Sequence, residues 1–239
     1  MSDYRRPASL EEALGLLDRP GAVVIGGGTK LQARPAAEPV EVVDLQAAGL
    51  DGFERRDDGM LRIGATATLQ ELVENEDAPS PVREAARREA PPTLRAQATL
   101  GGAIVTADGE SELLATLLVH DAVVSVAGAR GTEELPLEAL LAAMPFPRGG
   151  IVTAVVIDTT GTSVVARTGR TRADRAIVAA AARVGADGRQ RLALSGVAAT
   201  PILVEETDGL DPPGDFRGSS EYRRALAEVL AARALEGSS

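Results

Sequence analysis

Val24-Ile25-Gly26-Gly27-Gly28-Thr29-Lys30-Leu31 and Thr99-Leu100-Gly101-Gly102-Ala103-Ile104 decide how this chain is read. In each, the glycines strip side chains from the backbone, so main-chain N–H groups can approach another molecule closely. Phosphate is the commonest such visitor, because successive N–H dipoles form an anion-binding concavity. A pair of loops suits an elongated ligand with a diphosphate in its middle. Taken singly, each could equally be a tight turn between strands. The pair weighs more, because both carry a flanking hydroxyl, Thr29 and Thr99, with arginines nearby.

Two better-known phosphate motifs do not fit. A Walker A loop needs Lys directly after its last Gly and Ser or Thr directly after that Lys, whereas here the order is Gly28-Thr29-Lys30. A dinucleotide fingerprint accepts Gly26 and Gly28, but Leu31 stands where the third small residue belongs. Pro35 also leaves no room for the helix that would follow.

Outward from these stretches, Ser9-Leu10-Glu11-Glu12 and Thr68-Leu69-Gln70-Glu71 are capping boxes that start helices. The first runs over 10–17. Strands are expected at 22–25, 40–45 and 61–64, with a polar turn over 51–59. A helix over 82–89 is broken by Pro91-Pro92, and Ser111 caps another over 112–118. Strands follow at 122–127, 131–137 and 151–157. Asp187-Gly188 predicts a type I′ hairpin joining strands at 176–184 and 191–197. Residues 205–218 read as loop. An amphipathic helix over 220–235 closes the chain, with Tyr222, Leu226, Val229, Leu230 and Ala234 on one side.

The composition narrows the possibilities. The chain has 239 residues, enough for one large domain or two small ones. With no Trp, two Tyr and three Phe, its core must be built from Val, Leu, Ile and Ala. With no cysteine, disulfides and cysteine-ligated iron–sulfur clusters are excluded from this chain. A net charge of −10 argues against a nucleic-acid partner, so a bound phosphate must rely on local donors. Arg5 and Arg6 precede no apolar run of signal-peptide kind, and no segment has the length and apolarity of a membrane span. A cytoplasmic location is expected.

These residues in this order resemble the FAD-binding (medium) subunits of molybdenum hydroxylases, the carbon monoxide dehydrogenase and xanthine dehydrogenase family. The likeness lies in Tyr4-Arg5-Arg6-Pro7-Ala8-Ser9, the Gly-Gly-Gly-Thr stretch, Val42-Val43-Asp44-Leu45 and Ile63-Gly64-Ala65-Thr66-Ala67-Thr68-Leu69. It continues through Leu94-Arg95, Ala98-Thr99-Leu100-Gly101-Gly102 and Leu194-Ser195-Gly196-Val197-Ala198-Ala199-Thr200-Pro201. The resemblance implies an α+β fold. Residues 1–159 would form a two-lobed FAD-binding domain of the vanillyl-alcohol-oxidase/PCMH type, with lobes of about 1–50 and 51–159. Residues 160–239 would form a small antiparallel-sheet domain.

It further implies an oxidoreductase subunit that passes electrons through FAD to an external acceptor. The iron–sulfur clusters would lie on a small partner subunit and the molybdenum cofactor on a large one. Ile25, Gly26, Gly27, Gly28, Thr29, Lys30 and Leu31 would surround the FAD diphosphate, and Thr99, Gly101 and Gly102 would approach it from the second lobe. Asp108, Ser111 and Glu112 would contact the flavin's sugar side, and Arg167 and Arg170 would lie near the cofactor. Ala103 stands where the family has Asn or Ser, Glu112 where it has Asp, and Val165 where an aromatic is common. The competing reading is a flavin-free relative kept as a structural subunit.

Other chemistry finds little support. His120, the only histidine, follows an apolar helix and is expected to be structural. One histidine and no cysteine make a poor metal site. Ser195 lies in Leu-Ser-Gly without a nucleophile elbow, and core packing is expected. Tyr222 is expected to anchor the last helix in the core, with a subunit contact as the alternative.

Overall fold

The computed structural model describes residues 3–19, 21–30, 41–171 and 174–238. Local signals build the first lobe. Strand β1 (Asp3–Arg5) leads to helix α1 (Leu10–Leu17), whose first turn is closed by the Ser9 hydroxyl accepting from Glu12 N–H. Glu12 reaches back as expected, but its carboxylate accepts from Ala8 N–H rather than that of the cap residue. Strands β2 (Ala22–Ile25) and β3 (Glu41–Asp44) join β1 in a parallel sheet of order β1-β3-β2. Ala13, Val43 and Leu45 fill its core.

The second lobe is an antiparallel sheet of order β4-β5-β8-β6-β7. Strands β4 (Phe53–Arg55) and β5 (Met60–Gly64) precede helices α2 (Leu69–Glu74), α3 (Ser80–Glu89), α4 (Pro92–Arg95), α5 (Leu100–Thr106) and α6 (Glu112–Val119). Strands β6 (Val123–Gly128) and β7 (Gly131–Pro136), helix α7 (Leu137–Ala142) and strand β8 (Ile151–Asp158) complete it. The polar segment read as a turn thus holds β4, an edge strand paired only with β5.

Strands β9 (Thr162–Thr168), β10 (Val178–Val184), β11 (Gln190–Ser195) and β12 (Ile202–Val204) form a third sheet, antiparallel throughout. Helix α8 (Ser220–Ser238) packs on it through Ala227, Leu230, Ala231 and Ala234. Tyr222 and Val229 are 45% and 48% exposed, so the expectation that they face the core is corrected. The buried stripe instead runs through Arg223, Ala227, Leu230 and Ala234. The Asp187-Gly188 hairpin is present, but Val184 pairs with Gln190 across a five-residue connection. Its turn is closed by Gly188 N–H donating to Gly185 C=O, and only Gly188 there has positive φ. A type I′ turn would need positive φ at Asp187 as well, so the turn type is corrected.

Helix α6 joins the sheets. All eight of its residues are buried, against α3 on one side and the third sheet on the other, which suits an element apolar nearly all round. His120 caps its C-terminal end and is 1% exposed. Its Nδ1 lies 2.7 Å from the Asp158 carbonyl, which can only accept, so Nδ1 carries the proton and Nε2 accepts from the Ser163 hydroxyl at 2.9 Å. Burial disfavours a charged ring, and the nearby Arg183 adds to this; together they outweigh the Asp158 carbonyl, Asp158 and Asp121 and lower the His120 pKa to about 4.

The unfolded chain therefore binds the extra proton first as pH falls. Stability should be lost from about pH 6.5 down to about 4, by at most about 3 kcal/mol. Glu89, whose carboxyl is raised by burial, contributes with the opposite sign. Urea unfolding at pH 7 and pH 5 should accordingly show a steeper loss for the wild type than for His120→Asn. Equal slopes would refute the assignment.

Candidate flavin site

The two glycine stretches meet. A Cβ built on Gly27 would overlap the Gln97 carbonyl, well under the 3.0 Å that real Cβ atoms keep, and one on Gly26 would strike the Thr99 hydroxyl. These glycines let the first lobe lie directly on the backbone of the second. Gly28 has φ +71°, a left-handed conformation that glycine adopts without cost. Ile25 ends β2, paired with Asp44, and Thr29 and Lys30 are already helical. Leu31 and Pro35 lie outside the described residues.

The second stretch is not a loop. Thr99 caps helix α5, its hydroxyl accepting from Gly102 N–H at 3.2 Å. Gly101 N–H donates to the Ala65 carbonyl at 2.8 Å, and a Cβ on Gly101 would lie 2.9 Å from that oxygen. Both amides are therefore satisfied within the protein. Their glycines provide closeness rather than open donors, which corrects the reading of this stretch as a second amide cradle.

Beside this junction lies a cluster of alternating charge. Lys30 Nζ stands 3.9 Å from Asp108, which also takes a 2.9 Å bond from Arg175. Burial would raise the Asp108 carboxyl, but the Arg175 bond and charge, the Glu110 N–H and Lys30 hold it below the usual range. Ser111 is fully buried, donating to Glu89 at 2.7 Å and accepting from Leu114 N–H at 3.1 Å. Its hydroxyl thus braces the end of α3 against α6. Glu89 is pushed up by burial, which the Ser111 hydrogen bond only partly offsets.

Glu112, 4% exposed, receives Arg167 Nε at 2.8 Å on Oε1, and Arg88 approaches Oε2 at 3.7 Å. Arg170, 77% exposed at its side chain, stands with Arg88 and Arg167 on a groove of about 650 Å³. The structure thus gathers Lys30, Asp108, Ser111, Glu112, Arg167 and Arg170 from the sequence-predicted set. It adds Arg88, Glu89 and Arg175, which no motif marked; the only sequence signal for Arg88 and Glu89 is a run of charges before Pro91.

One atom tests the fit to FAD. Glu112 Oε2 is buried without a hydrogen-bond donor, and an open buried acceptor is costly unless a ligand supplies an N–H. A flavin ring carries such an imide N–H. The close-packed glycines, Lys30 and the arginines suit the anionic remainder of the molecule. The residues fit.

The match to known sequences agrees. Residues 1–159 match the family described as the FAD binding domain in molybdopterin dehydrogenase. The chain belongs to that family. FAD is its cofactor, and the chain is an oxidoreductase component. Relatives extend the likeness past residue 159. The uncharacterized protein YgfM of Escherichia coli K12 is 32% identical over 97% of this chain and 94% of its own length. The carbon monoxide dehydrogenase medium chain of Afipia carboxidovorans is 28% identical over 98% of this chain and 95% of its own. The structure of reconstituted CO dehydrogenase from Oligotropha carboxidovorans superposes with a TM-score of 0.88 at 26% identity, covering 100% of this chain and 97% of that one. The fold is therefore the α+β arrangement expected, with an antiparallel sheet in its C-terminal part. No helix among the described residues is long and apolar enough to cross a membrane.

Proposed function

We propose that this chain is the electron-transfer subunit of a molybdenum hydroxylase complex. It takes electrons from iron–sulfur clusters on a small partner subunit and delivers them to an external acceptor, with the molybdenum cofactor on a large subunit. The buried Glu112 carboxylate oxygen, without a hydrogen-bond donor and set beside Arg88 and Arg167, carries this reading. With no cysteine to ligate a cluster, the chain needs another polypeptide to supply one. The names of relatives, among them a 6-hydroxypseudooxynicotine dehydrogenase complex subunit of Paenarthrobacter nicotinovorans, support membership of such assemblies. We take 1–159 as the FAD-binding domain and 160–239 as the second domain.

FAD, when bound, supplies a carrier that exchanges electrons both singly and in pairs. The protein's part is placement. Gly26, Gly27, Gly28 and Thr29 would hold the diphosphate with Lys30 beside it, Thr99, Gly101 and Gly102 would close the other wall, and Glu112 would fix the ring. Asp108, Arg167, Arg170 and Arg175 would set the local charge, with Ser111 bracing α3 against α6 behind them. We place Ile25 at the edge of the same cradle.

The test is flavin uptake. Purified chain mixed with FAD should retain about one equivalent and show flavin absorbance. Gly28→Val, forced into a left-handed conformation costing about 1–2 kcal/mol, should raise the FAD dissociation constant at least tenfold. Equilibrium dialysis reads both. A wild-type chain that stays colourless overturns the proposal, and unchanged affinity in the variant overturns the role of Gly28.

A further inference from the structure

Two arginines approach the Glu112 carboxylate, and they hold it unequally. Arg167 Nε donates to Oε1 at 2.8 Å from a side chain that is mostly buried. A terminal nitrogen of the same guanidinium donates to the Asp174 carbonyl, and the Arg167 backbone is fixed in β9 opposite Ala179 of β10. Arg88 is more exposed and stands 3.7 Å from Oε2, beyond hydrogen-bond reach, with a second carboxylate, Glu84, at 3.4 Å. One oxygen of Glu112 is thus taken by a rigid donor, and the other is left open.

Glu112 does not place itself. It opens α6, whose first turn is closed by the Ser111 hydroxyl and whose residues are all buried. That fixes its backbone, but its side chain can still turn toward either arginine. Turned toward Arg88, Oε2 would close. The pair also decides the local charge. Arg167 offsets the Glu112 carboxylate, and at a site of low dielectric either charge left alone acts strongly on its neighbours. A positive charge favours electron gain by a nearby ring, and a negative one opposes it.

We propose that Arg167 is a positioning residue for the flavin: by holding Glu112 Oε1 it keeps Oε2 open toward the ring, and by offsetting the carboxylate it raises the flavin's midpoint potential. This rests on the flavin-binding reading given above. It ties the redox behaviour of the cofactor to β9, a strand outside the matched residues 1–159.

Equilibrium dialysis with FAD and a redox titration of the bound flavin test this on the full chain. Arg167→Met should raise the FAD dissociation constant about tenfold. It should also lower the midpoint potential by about 30 mV, the two-electron equivalent of a tenfold weaker preference for reduced over oxidised flavin. Arg167→Lys should restore the potential but not the affinity, because an ammonium brings the charge without the planar fork. Glu112→Gln keeps an oxygen and the side-chain shape but removes the negative charge, so the potential should rise by about 30 mV. That variant decides the matter if Arg167→Met does not fold. Wild-type affinity and potential in Arg167→Met would overturn the proposal and leave flavin binding intact. So would a lowered unfolding midpoint with an unmoved potential, which marks a structural role alone, or an unmoved or lowered potential in Glu112→Gln. A wild type that takes up no FAD would overturn the flavin reading and this proposal with it.

Discussion

Gly27→Ala should cost the protein its flavin and much of its stability. The added methyl would overlap the Gln97 carbonyl and approach Ala98 N at 3.1 Å, and both belong to main chain that is already tied down. Gln97 N–H and Ala98 N–H donate to the Leu94 carbonyl at 3.0 and 2.7 Å, and the Ala98 carbonyl accepts from Leu69 N–H at 2.8 Å. No side chain can rotate out of the way, so the lobes must part. Overpacking costs about 1–3 kcal/mol where a core can adjust, and this contact belongs at or above the top of that range. Gly26→Ala offers the contrast. Its methyl would strike the Thr99 hydroxyl, a side chain that can move at the expense of capping α5, worth about 1 kcal/mol. Thr99→Ala should therefore partly rescue Gly26→Ala, but not Gly27→Ala. Urea unfolding and FAD titration on the four variants check this. A Gly27→Ala protein that unfolds at the wild-type midpoint and holds FAD would show that the lobes do not meet there.

What could be read from the sequence follows from the range of the forces involved. Helices α1, α2 and α6 were legible because Ser9, Thr68 and Ser111 bond amides three residues on, a purely local relation. Strands β5, β6 and β8 were legible from their apolar runs. The Thr99-Leu100-Gly101-Gly102 helix was not, because two glycines weaken any helical signal. What favours it is the Thr99 cap together with packing against Ala65, and the second of these is tertiary. Strand β9 was missed for a similar reason, since its register is set by β10.

The site divides the same way. The glycine stretches showed where close approach occurs, but not that Gly26 touches Thr99. Arg88 and Glu89 meet Arg175 at this charge cluster from segments far apart in the chain, and no spacing rule announces such a meeting. The orientation of α8 was also tertiary. Its sequence offers apolar residues on two sides, and the sheet buries the small ones, Ala227, Ala231 and Ala234, leaving Tyr222 and Val229 outside.

Arg183→Met should destabilise the protein by about 3–5 kcal/mol, the usual cost of removing one partner from a buried charge cluster. The Arg183 side chain is 2% exposed and every part of its guanidinium is used. Nε donates to the Thr160 carbonyl at 3.0 Å, and one terminal nitrogen donates to the Val119 carbonyl at 3.2 Å and Asp121 at 3.0 Å. The other terminal nitrogen binds Asp158. A methionine of similar length fills the space but leaves two carbonyls and the Asp158 carboxylate without that donor. Asp121, at φ +52°, would keep Arg191, which sits beside Arg183 in the sheet register. Arg191→Met, at a side chain 24% exposed, should therefore cost about 1 kcal/mol. The larger loss should reach the flavin as well. Arg183 fastens β10 to the end of β8, and β9, paired with β10, carries Arg167 to Glu112. Thermal melting and FAD titration of both variants separate these effects. If Arg183→Met melts within a degree or two of Arg191→Met, the cluster does not hold the third sheet against the second, and Glu112 owes its geometry to α6 alone.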